Sequence, residues 1–104
     1  MFEKINFGKG IVNQYIDFNI SIDSSLYEII DLLKEDLIQV SYINNYILDL
    51  GWYPEFDTNG LFRLVIIDNH DWGNPIIKKE CRDLSVLKLY IVECINYIQS
   101  KMNL

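Results

Sequence analysis

The chain has 104 residues, half of them hydrophobic. That length allows one hydrophobic core, and that composition excludes a disordered protein, so residues 1–104 are treated as a single domain. No apolar run approaches the roughly 18 residues that a membrane span needs, and residues 1–10 lack the apolar segment of a secretory signal, so a cytoplasmic location without membrane attachment is expected. The formal net charge of −6 argues against direct nucleic-acid binding, because a negative field repels phosphate.

Acidic residues are concentrated in the middle of the sequence. Residues 17–71 contain eleven acids and two bases, a local charge of −9, whereas the rest of the chain has four acids and seven bases, a local charge of +3. An acidic segment of this kind attracts a basic protein partner and speeds the encounter with it. The alternative interpretation is that the acids only keep a small domain in solution.

The first predicted strand and helix follow each other directly. Tyr15–Asp23, YIDFNISID, has an apolar side chain at every second position, which is typical of a strand with one wet face. The preceding FGKGIVNQ is expected to be a loop or a short edge segment. Ser25 and Glu28 then have capping-box spacing, and apolar residues recur at helical intervals as far as Val40. These intervals predict an amphipathic helix over residues 25–40.

Three further strands are predicted after that helix. Residues 41–50 fit a helix or a strand, and we favour a loop around Asn44-Asn45 and a strand from about Tyr46. Leu61–Asp68, LFRLVIID, is almost continuously apolar and β-branched, as in a strand buried on both faces. Pro75–Arg82 is the next strand, with its proline at the start or on an edge, because proline cannot donate to a ladder.

A C-terminal helix completes the predicted fold. Asp83 or Ser85 can cap it. Its core stripe consists of Leu87, Ile91, Cys94, Ile95 and Ile98, widened by Val86, Leu89, Tyr90 and Tyr97. The predicted class is α+β, with the order β-α-β-β-β-α: an antiparallel sheet, made of a three-strand meander plus the N-terminal strand, with two helices packed on one face. Cys81 and Cys94 do not form a CxxC pair and are expected to be free thiols, while a disulfide or redox role stays open.

The stretch GWYPEFDTNG, residues 51–60, was compared with a calcium loop. With Gly60 at the sixth position of an EF-hand loop, Glu55, Asp57 and Asn59 occupy ligand positions. The twelfth position, which should be a bidentate Glu, is Ile66. We therefore predict no calcium site. Asn-Gly between apolar runs is the strongest short-range hairpin signal, and it predicts a turn.

The stretch DNHDWGNP is the second candidate for chemistry. Asp68, His70 and Asp71 could offer metal ligands, but three ligands from one short loop rarely complete a coordination shell, and the chain has no second histidine. No phosphate-binding loop, nucleophile elbow or acid–base pair is recognisable. We therefore predict no catalytic residue, no cofactor and no metal, and a metal-dependent hydrolase is the least favoured hypothesis.

Aromatic residues lie beside acids at both corners of the predicted meander. Large rigid side chains next to negative charge are typical of a surface that binds a basic protein. The alternative is that the tryptophans cover the open end of the core, and Phe56 belongs to the same aromatic group. The predicted partner-binding residues are Trp52, Tyr53, Glu55, Asp57, Asp68, Asp71 and Trp72.

Residues 50–95, LGWYPEFDTNGLFRLVIIDNHDWGNPIIKKECRDLSVLKLYIVECI, resemble a recurring pattern in immunity proteins of bacterial polymorphic toxin and contact-dependent growth-inhibition systems. The pattern is an aromatic-Pro-acid hairpin with a Gly turn, an apolar strand, an acidic Trp-containing loop before Pro, a charged strand and a final helix. The first 45 residues show no such pattern. The resemblance implies a small, cytoplasmic, non-catalytic protein that blocks a cognate toxin domain, frequently a basic nuclease.

Two functions of different class follow from these observations. The preferred one is an immunity protein, monomeric or weakly dimeric, that binds and occludes a toxin domain through the acidic and aromatic loops. The alternative is a non-enzymatic regulatory or adaptor subunit that pairs through an edge strand or through the C-terminal helix. A tight homodimer burying Val86, Tyr90 and Tyr97 would favour the alternative.

Overall fold

The fold is a five-stranded antiparallel sheet with one long helix. A computed structural model describes residues 5–15 and 26–102. The elements are β1 (Ile11–Tyr15), α1 (Leu26–Ile29), β2 (Ile38–Ser41), β3 (Tyr46–Tyr53), β4 (Leu61–Asp68), β5 (Ile77–Cys81) and α2 (Leu84–Met102). The strands are hydrogen-bonded in the order β1-β2-β3-β4-β5, and every pair is antiparallel. The predicted α+β class is confirmed, whereas the predicted order β-α-β-β-β-α with two packed helices is not, because the sheet has five strands and one long helix packs on it.

Helix α2 covers one face of the sheet and forms the core with it. Its predicted stripe is buried throughout, and it shares one hydrophobic cluster with alternate side chains of β3 and β4. These side chains are Leu48, Leu50, Trp52, Phe62, Leu64 and Ile66. Fully burying an aliphatic or aromatic side chain contributes about 1.5–3 kcal/mol, so this cluster is the main source of stability. The opposite face carries polar side chains such as Gln39 and Asp49 in β2 and β3, as expected for a sheet covered on one side.

The three strands of the predicted meander are confirmed, and the bounds of the last one are shifted. β3 begins at Tyr46, β4 spans the predicted Leu61–Asp68, and β5 begins two residues after Pro75. β4 is not buried equally on both faces, because Arg63 and Val65 are half-buried on the side away from α2. The predicted edge segment before Tyr15 is strand β1. The predicted strand Tyr15–Asp23 lies outside the described residues, apart from Tyr15 itself.

The helix predicted over residues 25–40 is wrong beyond its first turns. α1 has four residues, a single 3-10 turn follows it at Ile30–Leu32, and Ile38–Ser41 is a strand instead. Four apolar side chains of the predicted stripe, Ile29, Leu33, Leu37 and Val40, are nevertheless buried. Ile38 and Val40 alternate with Gln39 and Ser41, so a strand period competed with the helical one and tertiary pairing with β3 selected it. Ser25 of the predicted capping box lies outside the described residues.

Gly51 allows the segment before β2 to cross close to β3. A Cβ atom at this position would lie 2.0 Å from the backbone oxygen of Glu35. The segment is held there because Trp52 N donates to Lys34 O at 2.8 Å and Leu37 N donates to Leu50 O at 3.0 Å. Residues 33–37 therefore lie against the end of β3, which brings their acids to that end of the sheet.

Hydrogen bonds show which of the two candidate residues, Asp83 or Ser85, caps the C-terminal helix. Asp83 Oδ1 accepts from Ser85 N at 2.8 Å and from Val86 N at 3.1 Å, and the Ser85 hydroxyl also donates to it. The Ser85 side chain, followed by the two backbone N–H groups, lowers the pKa of Asp83 from its ordinary value of 3.8. Asp83 is the N-cap of α2.

Asp83→Asn is expected to remove a pH-dependent part of the stability. Because the pKa of Asp83 is lower in the folded state, the ionised carboxylate stabilises the fold above pH 3.8, and this contribution disappears as the pH falls through the folded pKa. The difference in free energy of unfolding between wild type and variant should shrink between about pH 5 and about pH 2, measured by urea unfolding. A difference that stays constant over that range would contradict the assignment.

Candidate protein-binding surface

The register of β3 and β4 separates the predicted binding residues into two groups. Tyr53 pairs with Leu61 at one end of the hairpin, and Tyr46 pairs with Asp68 at the other. Seven strand steps lie between Leu61 and Asp68, or about 23 Å. Glu55 and Asp57 therefore cannot share one compact contact area with Asp71 and Trp72. The prediction had treated them as one surface, and the structure does not bring them together.

We name the two groups by their position. The hairpin-end surface consists of Tyr53 and loop 54–60 together with the acids that residues 33–37 and β3 bring beside them: Glu35, Asp36 and Asp49. The far-end surface consists of Asp68 and loop 69–76 together with the turn at Asn44-Asn45, to which it is tied because Asn69 N donates to Asn45 O at 3.0 Å.

Trp52 belongs to neither surface, and its prediction as a partner-binding residue is wrong. Its side chain is 0% exposed and its ring meets that of Phe62 edge-on, with ring centroids 4.8 Å apart. Its indole Nε1 donates to Asp57 O at 2.8 Å. At this position the structure agrees with the alternative interpretation of the sequence, in which the tryptophan covers the core.

Phe56 is the exposed aromatic residue of the hairpin end. Its side chain is 49% exposed, and its backbone has a φ of 61°, which is uncommon for a residue other than glycine. The backbone is held in this conformation because Phe56 N donates to Leu33 O at 2.8 Å. The sequence placed Phe56 in the aromatic group but not among the binding residues, and nothing in the spacing distinguishes it from the buried Trp52.

Five acids lie near Tyr53 or Phe56: the charges of Glu35, Asp36 and Asp49 act on Tyr53, and Glu55 and Asp57 flank Phe56 in the loop. Glu35 and Glu55 are linked because Glu35 N donates to Glu55 Oε1 at 3.3 Å. Sequence reasoning found only Glu55 and Asp57. Glu35 and Asp36 come from the segment before β2, which the crossing at Gly51 places here, and Asp49 comes from the open face of β3.

The titration of two groups reflects this local negative charge. Burial raises the pKa of Tyr53, and the charges of Asp49, Glu35 and Asp36 raise it further, with Arg63 opposing them. Burial also raises the pKa of Asp49, with the hydrogen bond from Gln39 opposing the shift and Asp36 adding to it. Both groups therefore lie in a field that a positive charge from a partner would relieve.

Two basic side chains near the hairpin end, those of Arg63 and Arg82, are already engaged. Arg63 Nε donates to Glu80 Oε2 at 3.0 Å, and its guanidinium lies 4.8 Å from the centre of the Tyr53 ring. Arg82 donates to two backbone oxygens of loop 54–60, those of Thr58 and Gly60. Lys34 is exposed beside Glu35. These bases offset part of the acidic charge but leave the carboxylates of loop 54–60 open.

The turn between β3 and β4 differs from the expected Asn-Gly turn. The hairpin is confirmed, but its connection spans residues 54–60, and positive φ occurs at Phe56 and not at Gly60. Gly60 is required for a different reason: a Cβ atom there would lie 2.6 Å from Trp52 Nε1 and 2.6 Å from Tyr53 O. The glycine lets the loop pack directly on the indole ring.

The far-end surface carries two acids and one exposed aromatic ring. Trp72 is 49% exposed, and Asn69 and His70 both have positive φ. Asn74 Nδ2 lies 3.3 Å from each carboxylate oxygen of Asp71, so this acid already has a partner. Within residues 5–15 and 26–102, no group of three or more His, Cys, Asp or Glu side chains is arranged to hold a metal ion.

The two cysteines are free thiols. Cys81 is half-buried and Cys94 is buried, and burial raises the pKa of each to about 11. Both are therefore protonated near neutral pH, which makes them weak nucleophiles.

Comparisons with known proteins assign no relatives. No protein-family model, no curated protein and no solved structure matches this chain. In the part of the chain that the structure describes, no helix is both long enough and apolar enough to cross a bilayer.

Proposed function

We propose that this chain is an immunity protein that binds and occludes a basic toxin domain through its hairpin-end surface. The observation that carries the proposal is the arrangement at that end: three carboxylates whose charges act on the half-buried Tyr53, and two more beside the exposed Phe56 in loop 54–60. An aromatic anchor inside a charged rim is a common arrangement in protein interfaces. The sequence resemblance over residues 50–95 supports the same class of function.

The anchor and the rim would have different roles in binding. Phe56 offers apolar area that becomes buried when a partner pocket receives it, which would contribute to slow dissociation. The carboxylates of Glu55 and Asp57 would meet lysine or arginine side chains and accelerate association. Neither role requires chemistry by this chain, since occlusion of the toxin's own site is sufficient to inhibit it.

The hairpin end supports the proposal better than the far end. It gathers five acids where the far end has two, Asp68 and Asp71. Loop 54–60 is also held by hydrogen bonds to three other parts of the chain, through Phe56 N, Asp57 O and Gly60 O. A preordered loop loses less conformational entropy on binding.

The decisive experiment is co-expression with a toxin domain. We expect the gene upstream of this chain to encode a large secreted protein, and the probe is the variable C-terminal domain of that protein. Expression of that domain alone should stop growth, co-expression with this chain should restore it, and the two purified proteins should elute as one complex. A toxin domain that kills equally with and without this chain, or an upstream gene of unrelated type, would refute the proposal.

A second candidate function rests on the outer face of α2. Leu89 and Val92, three residues apart on this helix, are 63% and 44% exposed, so an adaptor that pairs through this helix has apolar surface to use. Val86, Tyr90 and Tyr97, from which such an interface was predicted, are half-buried, and the two tyrosines pack against the core. Sedimentation of the purified chain separates the two functions, because a tight homodimer would favour the adaptor.

A further inference from the structure

Arg82 contacts the candidate binding loop from outside it. The residue directly follows β5, and its guanidinium reaches across to loop 54–60. Nη2 donates to Thr58 O at 2.7 Å, and Nη1 donates to Gly60 O. The guanidinium carbon also lies 5.7 Å from the centre of the Trp52 ring. One side chain thus connects two backbone oxygens of the loop to the start of α2.

The same loop is fixed from below by the core. Trp52 Nε1 donates to Asp57 O at 2.8 Å, and Gly60 packs on the indole with no room for a side chain. Arg82 and Trp52 together hold the backbone oxygens of Asp57, Thr58 and Gly60, while Asp57 Oδ1 accepts from Asn59 N within the loop. The exposed Phe56 and the carboxylate of Asp57 are therefore presented by a loop whose backbone is held from two sides.

We infer that Arg82 is a positioning residue for the hairpin-end surface: it holds loop 54–60 in one conformation without itself belonging to the contact area. The consequence for affinity rests on the proposed function, whereas the ordering of the loop does not. An ordered loop avoids the entropy loss of ordering on association, which is how Arg82 would strengthen binding at a distance.

Arginine is required at this position because of its geometry. A planar guanidinium presents several N–H donors in a fixed fork and can serve two carbonyls at once. A lysine ammonium keeps the positive charge but is a compact point charge on a flexible stem. Arg82→Lys therefore removes the fork while leaving the net charge unchanged. Arg63→Lys is the matched control, since Arg63 contacts Glu80 and Tyr53 but none of the loop oxygens.

The test is backbone amide hydrogen exchange in the isolated full chain. In Arg82→Lys the amides of Asn59 and Gly60 should exchange about tenfold faster than in wild type, while core amides of β4 keep their protection. Arg63→Lys should match wild type at all of these amides. Loop exchange that is unchanged in Arg82→Lys, or that rises in parallel with exchange in β4, would overturn the inference, because the residue would then be inert or a general stabiliser.

A binding measurement separates this inference from the proposed function. Against the same toxin domain, Arg82→Lys should bind about tenfold more weakly than wild type. Faster loop exchange with no loss of affinity would support the positioning role and refute the hairpin end as the binding site. Loss of affinity with unchanged loop exchange would refute the positioning role and leave the site in place.

Discussion

Trp52→Ala is expected to lower the free energy of unfolding by about 4 kcal/mol, within the range for large aromatic truncations in a core. Three losses combine at this position. The side chain is 0% exposed, so its removal leaves a cavity; the edge-on contact with Phe62 disappears; and Asp57 O loses the indole donor. Urea unfolding monitored by circular dichroism gives the value.

The other tryptophan provides the matched control. Trp72 is 49% exposed in loop 69–76, so Trp72→Ala should change the free energy of unfolding by only about 0.5 kcal/mol. Equal effects of the two substitutions would contradict the placement of Trp52 in the core. A large effect confined to Trp72→Ala would contradict the description of the far-end loop.

Strand β4 and the C-terminal helix were predictable because their sequence patterns are unambiguous. Leu61–Asp68 is a long β-branched run with turn residues on both sides, and residues 84–102 keep a helical stripe with a capping acid before it. Local sequence dictates both, and tertiary structure agrees with it. The bounds of β4 were predicted to the residue.

The failure at residues 33–40 has a physical cause. Leu33, Leu37 and Val40 are buried as expected, but burial at those positions is compatible with a helix or with an extended segment entering a strand. Backbone hydrogen bonds from β3 decided between them, and these depend on Gly51, which is far away in sequence. The periodicity of a segment contains no information about a partner strand that lies elsewhere in the chain.

Some residues of the candidate site were predictable from the sequence, but their arrangement in space was not. Acids and aromatics near the hairpin were identified from composition, yet their separation by the length of β4 follows from the register of two strands. Trp52 and Phe56 are near neighbours of similar hydrophobic character, and strand alternation directs the first into the core while the loop exposes the second. The contributions of Glu35 and Asp36 depend on the unpredicted crossing at Gly51.

Reversing the charges of the hairpin end is expected to abolish protection against the toxin domain. The variant Glu55→Lys/Asp57→Lys should bind about 100- to 1,000-fold more weakly, because like charges placed opposite each other in an interface cost several kcal/mol, and 1.4 kcal/mol is tenfold in affinity. Association should also lose most of its dependence on salt, since long-range attraction is what salt screens. Stopped-flow association at several salt concentrations, with a growth assay, measures both effects.

The control for this prediction changes the same total charge at the other end of the sheet. Asp68→Lys/Asp71→Lys also takes the net charge from −6 to −2, but its substitutions lie about 23 Å from the hairpin end. It should keep protection and lose at most about tenfold in association rate, through the weaker overall field. Loss of protection in this control alone would move the binding site to the far end. Equal losses in the two variants would show that only net charge matters, and the hairpin-end surface would then have no special role.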